Sequence, residues 1–185
     1  MKNNDIHDLL LVNKEQMSYD EYDFICSQIA KKSPINLLIF GLGKDSILWD
    51  TLNKNGLTLF IEDDVAWVDK IKKTVPNSII ETYEYFTKNK YISTYFKSDN
   101  PIYPFRMNLD PRWYNTHWDM IILDGPTGWG DECPGRFQPM ATVTMMDFDL
   151  LCIHDCERWI ENLYSRVCFG NQFKQIDKLR IYKKN

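Results

Sequence analysis

The chain has 185 residues, 44% hydrophobic and 26% charged, with a formal net charge of −4. This length fits one domain around one core, and the acidic balance argues against a nucleic-acid binder, which carries a basic excess. No apolar stretch approaches the ~20 residues of a membrane helix, and the five cysteines include no Cys-x-x-Cys pair, so no membrane partner and a reducing, cytoplasmic setting with free thiols are expected.

Residues 1–33 are expected to form an N-terminal helical segment. Its firm part is Ser18–Lys32, where Tyr22, Ile25 and Ile29 recur at helical spacing. Ser18 is the candidate N-cap, Glu21 completes a capping box, and Pro34 stops the helix. Asn36–Phe40 is a short, continuous apolar run, which predicts a strand buried on both faces. A glycine turn follows, then a helix over 46–53 that Gly56 ends, a second strand over 57–62, a helix over 65–75 that Pro76 closes, and a third strand over 78–85. Trp49 and Trp67 lie in helices flanking the sheet and are expected in the core. From 86 to 117 the periodicity is lost, and Pro101, Pro104 and Pro111 predict an irregular insertion. Residues 118–124 read as another buried strand, followed by a loop rich in glycine and proline. A helix is predicted over 139–148, a strand over 149–155, a helix over 156–167 with Trp159, Leu163 and Val167 on one side, and an antiparallel hairpin over 172–184. Strands alternating with helices give an α/β fold with a mostly parallel central sheet, whose ligands bind at the carboxyl ends of the strands. Every candidate site residue discussed around these turns follows a strand.

The turn after the first strand reads Gly41-Leu42-Gly43-Lys44-Asp45-Ser46. Gly41 and Gly43 let backbone approach a ligand with no Cβ in the way. A dinucleotide site would have a third glycine, where this chain has Ser46, and Asp45 would repel a pyrophosphate. A ligand with an adenosine, no phosphate and a cationic end suits the turn better, and S-adenosylmethionine has both an ammonium and a sulfonium. Nineteen positions beyond Gly43 comes Glu62, placed to accept ribose hydroxyls, with Asp63 and Asp64 beside it; the same carboxylates also suit the start of a helix.

Two further strand ends carry Asp124 and Asp155. Taken together, NLLIFGLGKDSILWDTLN, FIEDDVAWV, WDMIILDGPTGW, PGRF and IHDCERWIE resemble the glucuronoxylan 4-O-methyltransferase family, which includes the irregular-xylem proteins of plants, over nearly the whole chain. The resemblance implies a Rossmann-like class I methyltransferase that uses S-adenosylmethionine to methylate a sugar hydroxyl. It places Gly41, Gly43, Asp45 and Ser46 at the methionine end, Glu62 and Asp63 at the ribose side, Asp124 by the reacting methyl, His154 and Asp155 next to it, and Gly135 and Arg136 in the substrate loop. Plant members carry a basic residue at the position of Thr127 and a tyrosine at that of Trp129, so a neutral sugar fits at least as well as a uronic acid. They also carry an N-terminal membrane anchor; here a free enzyme and a domain of a larger glycosyltransferase are both open.

A sugar hydroxyl is barely ionised at neutral pH, so a base or a metal must handle its proton. Asp124 and Asp155 end strands that neighbour each other in this fold, ~4.8 Å apart. They are expected to share a divalent manganese or magnesium ion, with His154 completing the shell or acting as base. Cys152, His154 and Cys156 alternate and raise a weaker zinc reading. Tyr103, Phe105, Trp113, Tyr114 and above all Trp129 can stack on sugar faces or pack in the core, and Arg106, Arg112 and Arg136 can bind hydroxyls or an acid. A phenolic O-methyltransferase and a non-catalytic partner in glycan synthesis remain as alternatives.

Overall fold

A computed structural model describes residues 17–95 and 102–184. In chain order the elements are α1 (Tyr19–Lys32), β1 (Asn36–Phe40), α2 (Ser46–Leu52), β2 (Leu57–Glu62), α3 (Val65–Ile71), β3 (Ile79–Thr82) and α4 (Ile92–Tyr95). After the insertion come α5 (Pro111–Asn115), β4 (His117–Leu123), α6 (Phe137–Val143), β5 (Asp147–Ile153), α7 (Trp159–Phe169), β6 (Lys174–Ile176) and β7 (Leu179–Lys183). Short 3-10 turns occupy Asn89–Tyr91 and Tyr103–Phe105.

The strands form one seven-stranded sheet in the order β3-β2-β1-β4-β5-β7-β6. The first five in that order run parallel, and β7 is antiparallel to both β5 and β6. Strand order reverses between β1 and β4, so the crevice of an open α/β sheet belongs there. The period of two along each strand divides the core into two layers. Leu38, Phe40, Leu59, Ile61, Ile121, Leu123, Leu151 and Ile153 point to one face, under Phe137 and Met140 of α6 and Tyr164 of α7. Leu37, Ile39, Phe60, Ile122 and Cys152 point to the other, under Tyr22, Ile25 and Ile29 of α1 and Trp49 of α2. The expected capping box is formed: Ser18 Oγ accepts from the Glu21 amide, and Glu21 Oε2 accepts from the Ser18 amide at 2.6 Å.

Several boundaries differ from the sequence reading. Residues 1–16 of the predicted N-terminal segment and 96–101 of the insertion lie outside the described residues. The helix predicted over 139–148 begins at Phe137 and ends at Val143, because Asp147 and Phe148 pair with His117 and Trp118 and so belong to β5. The third strand keeps only Ile79–Thr82, at the half-exposed edge of the sheet. The last long helix starts at Trp159 rather than 156, since Asp155 adopts a left-handed φ of 61° and Arg158 closes a turn onto its carbonyl. Its side bearing Trp159, Leu163 and Val167 faces outward, while Glu161, Tyr164 and Ser165 are buried. Within the insertion, Phe105 packs on Tyr95 and Phe137 with ring centroids 4.7 and 5.2 Å away, and Trp113 is buried and donates to Glu81 at 2.8 Å. Tyr114 donates to the Met107 carbonyl. Those rings are packing groups, not a sugar platform.

At the opposite end of the sheet from the crevice, Asn53 joins β1 to β2. Its Oδ1 accepts from the Ile35 amide at 3.0 Å, and its Nδ2 donates to the Ile35 carbonyl and Thr58 Oγ1, both at 3.0 Å. Truncating it orphans buried backbone groups, which costs more than the bonds themselves contribute. Asn53→Ala is expected to lower stability by about 3 kcal/mol, read as a lower urea midpoint with an unchanged slope. An unchanged midpoint would overturn this account.

Candidate active site

The ends of β1 and β4 touch at the reversal point. Gly41 has φ +103°, and a Cβ placed on it would lie 2.9 Å from the Gly125 amide nitrogen. The amides of Asp124 and Gly125 both donate to the Phe40 carbonyl, at 3.0 and 2.7 Å. Above this contact opens a cavity of about 620 Å³, within the size range of small-molecule sites. Gly41, Gly43, Asp45, Ser46, Glu62, Asp63, Asp124, Trp129, Arg136, His154 and Asp155 all line it, so the structure brings together most of the residues singled out from the sequence.

One wall is built from the β1 and β2 turns. Glu62 is buried, and its carboxylate accepts from the amides of Leu42 at 2.7 Å, Asp63 at 3.0 Å and Asp64 at 2.9 Å. It therefore clamps the glycine turn to the acidic turn while facing the cavity. Asp64 caps α3 by accepting from the Trp67 amide. Trp67, expected in the core, is half-buried, lines the cavity and donates its indole N–H to the Leu42 carbonyl. Ser46 Oγ accepts from the Gly43 amide at 2.9 Å. Asp45 makes no side-chain cap to α2 and instead accepts from the Tyr22 hydroxyl at 3.2 Å. Burial, reinforced by the charge of Asp124, pushes its pKa up to about 7.

The opposite wall is a charge cluster at the ends of β4 and β5. Arg136 is buried at the N-cap of α6. Its Nη2 donates to Asp155 Oδ2 at 2.6 Å, to the Asp124 carbonyl at 2.7 Å and to Asp124 Oδ1 at 3.3 Å, and its Nη1 donates to the His154 carbonyl. Arg158 adds a second guanidinium 3.1 Å from Asp155 Oδ2. His154 Nδ1 lies 3.0 Å from Asp124 Oδ1 and 3.4 Å from Asp155 Oδ1. Its Nε2 lies 3.6 Å from Glu21 Oε2, an ion-pair distance rather than a hydrogen bond. Burial alone would lower the imidazole pKa, but the Asp124 and Glu21 carboxylates outweigh it and raise the value to about 9. His154 is thus an imidazolium at neutral pH, and its charge helps hold Asp124 below the usual carboxylate range despite burial.

The metal expectation meets this cluster directly. Asp124, His154 and Asp155 offer ligand atoms within 4.8 Å of one another. Yet Asp124 Oδ1 and both Asp155 oxygens are already paired with guanidinium or imidazolium groups. A divalent ion would have to displace Arg136 and the imidazole proton, so this donor set as arranged does not fit one. Nor does His154, carrying its proton, fit the role of base. The zinc reading finds no support either: among the described residues, the groups close enough to share an ion contain no cysteine.

Arg136 is therefore a buried brace in the cavity wall. Gly135, at φ +67°, donates its amide to the Thr127 carbonyl and leaves no room for a Cβ beside Asn89, so it shapes the loop without lining the cavity. Arg106 is exposed in the insertion, away from the cavity lining, and its charge acts on Tyr114. Trp129 stands at the rim, 80% exposed.

A family model described as IRX15/IRX15L/GXM matches residues 20–100 and 105–182. The chain belongs to that family. It is 35% identical to glucuronoxylan 4-O-methyltransferase 1 of Arabidopsis thaliana over 96% of this chain and 71% of that protein. It is 32% identical to glucuronoxylan 4-O-methyltransferase 2, covering 90% of the chain and 65% of the relative, and 28% identical to arabinogalactan O-methyltransferase 2, covering 86% and 63%, both from the same plant. The chain thus spans about two thirds of the length of these relatives. Among solved structures it resembles a TehB-like SAM-dependent methyltransferase from Corynebacterium glutamicum, with TM-score 0.55 and 12% identity over 99% of this chain and 97% of that one. It also resembles a methyltransferase-like protein from Silicibacter pomeroyi, with TM-score 0.52 and 15% identity over 90% and 85%. At such identities the likeness shows the fold, which is the Rossmann-like methyltransferase fold.

Four residues at the site of this family member escaped sequence reasoning as site residues. Tyr22 and Trp67 lie in helices that read as core, which hides their polar edges: the Tyr22 hydroxyl donates to Asp45, and Trp67 lines the cavity. Glu21 was legible only as a capping residue; its second oxygen accepts from the Lys178 amide at 2.7 Å, a contact between residues 157 positions apart. Arg158 follows Asp155 by three, a spacing that did signal an ion pair once the turn was known.

His154 should titrate near 9 by NMR, and Asp124→Asn should bring it down. Because the folded pKa lies above the ~6.5 of a free imidazole, the protonated form stabilises the fold. That contribution, roughly 3 kcal/mol, is present in full below ~6.5 and is lost as pH rises through about 9. An imidazole titrating below 7 would remove this picture of the cluster.

Proposed function

We propose that the chain is an S-adenosylmethionine-dependent O-methyltransferase acting on a sugar hydroxyl of a glycan. The observation that carries the reading is Asp45, a buried carboxylate behind a glycine turn at the switch point of the sheet, which suits a cationic ligand end and repels a pyrophosphate. The glucuronoxylan and arabinogalactan O-methyltransferases among its relatives support a sugar acceptor. Thr127, neutral and lining the cavity, favours a neutral sugar there over a uronic acid.

The residues present fit the cofactor. Gly41, Gly43, Ser46 and Asp45 would hold its amino-acid end and Glu62 with Asp63 its ribose. When bound, it would supply a sulfonium-borne methyl group for attack by a sugar oxygen, the new C–O bond forming as the C–S bond breaks and S-adenosylhomocysteine leaves. Asp124 takes the hydroxyl proton. Its Oδ1 is held by His154 and Arg136, while among the described residues no group hydrogen-bonds to Oδ2, which leaves that oxygen for the acceptor. A carboxylate held below its usual pKa suffices, because the hydroxyl proton becomes strongly acidic as the new C–O bond forms. Arg136 and His154 keep Asp124 ionised and aimed. Asp155, bound by both guanidiniums, fixes them in place. No step runs through a metal, since the carboxylates are already matched by these cations.

Two experiments test this. In calorimetry, S-adenosylhomocysteine should bind in the micromolar range. Its ammonium pairs with the carboxylate form of Asp45, so affinity should fall by up to about tenfold per pH unit below about 7 and level off above it. Asp45→Asn should weaken binding and flatten that dependence; absence of binding at any pH would sink the methyltransferase reading. In a labelled-methyl assay, glycan acceptors should be methylated and catechols not, with the rate unchanged by chelator. A rate lost on chelation and restored by manganese would instead put an ion where Arg136 now binds Asp124 and Asp155.

A further inference from the structure

A second cavity, of about 590 Å³, lies at the amino ends of β4 and β5, between α1 and the β6–β7 hairpin. Phe24, Gln28 and Lys32, spaced four apart on one face of α1, form one side of it. The hairpin segment contributes Phe173, Lys174 and Lys183, and the sheet contributes Met120 and Leu150. Cations stand at both rings: Lys174 Nζ is 5.3 Å from the Phe24 ring centroid, and the buried Arg180 guanidinium is 4.0 Å from that of Phe173. Four lysines line the cavity against two aspartates, in a chain whose net charge is −4. Lys32 pairs with Asp149 at 3.0 Å, and Lys184 pairs with Asp147 at 2.5 Å. Among the described residues, Lys174 and Lys183 form no ion pair. The remaining carboxylate, Asp119, sits across on β4 and accepts from the Asn36 amide at 2.9 Å.

Apolar and aromatic walls beside two unmatched ammonium groups are complementary to one class of ligand. An inorganic anion gains nothing from the rings, and a neutral aromatic gains nothing from the lysines. We propose that this cavity binds a small aromatic carboxylate, its ring against Phe24, Phe173 and the sheet residues and its carboxylate at Lys174 and Lys183. The volume lies within the range of small-molecule sites. Ring contacts with the two phenylalanines add to the area buried, and an ion pair at an apolar wall is stronger than one in open water. Both unmatched lysines belong to the hairpin and Asp119 to β4, so the charge distribution also sets the direction in which the ligand lies. No residue lines both this cavity and the one at the crevice, so the proposal stands independently of the methyltransferase reading.

The probe is 2-naphthoate, titrated into the full chain by calorimetry and by amide shifts in NMR. It should bind one to one and shift the amides of residues 24–32, 119–120 and 172–184. Three controls should bind about tenfold more weakly or not at all: 2-naphthol, which lacks the charge, and glucuronate and inorganic phosphate, which lack the flat apolar body. Lys174→Gln combined with Lys183→Gln should weaken 2-naphthoate about tenfold, the size of two partly exposed ion pairs. Added salt should weaken it in the wild type and much less in the double variant. Both lysines are exposed, so the thermal stability of the double variant should equal that of the wild type. Absence of 2-naphthoate binding, equal binding of any control, an affinity that survives the double substitution, or shifts centred on the crevice would each overturn the proposal.

Discussion

The site depends on one buried guanidinium. Asp124 and Asp155 sit at the ends of neighbouring parallel strands, with Asp45 and Glu21 close behind, and so many carboxylates cannot stay ionised out of water without cations among them. Arg136 meets this constraint. It binds two of the carboxylates and two backbone carbonyls at the tips of the same strands, so one side chain sets both the charge and the geometry of that wall. A hydrophobic replacement could fill the volume, but it would leave like charges facing each other.

The remaining features follow from that neutralisation. His154 keeps its proton because it faces carboxylates that Arg136 alone does not balance, and Arg158 pairs with Asp155, whose backbone is left-handed at the end of β5. Asp45 is the exception. Among the described residues it accepts from a hydroxyl and forms no ion pair, and burial raises its pKa to about 7, which leaves it half ionised at neutral pH. The cluster is thus complete on the acceptor side and one charge short on the side where a cationic ligand end is proposed to dock.

Much of this was legible in the chain. β1 and β2 have the predicted bounds, since short apolar runs between turn signals leave few alternatives. The glycine turn, Glu62 and the two strand-end aspartates were found because such residues occupy fixed places after parallel strands. The brace that Arg136 forms was not legible, because a sequence records that an arginine follows a glycine but not which carbonyls lie around it. The aromatic run between 86 and 117 was ambiguous for a similar reason: a ring that packs and a ring that stacks on a ligand look alike until their neighbours are known.

The sequence by itself determined the parallel sheet, its order of elements, the switch-point turn and the family. All of these rest on local periodicity, turn chemistry and motif spacing, which are properties of neighbouring residues. Only the tertiary structure decided the charge state of the site, the exclusion of a ready metal cage and the lysine-lined cavity at the amino ends of β4 and β5. Those depend on groups brought together from α1, from the C-terminal hairpin and from both ends of β4 and β5. Electrostatic energy in a buried cluster is set by distance and desolvation, and neither quantity is encoded by spacing along the chain.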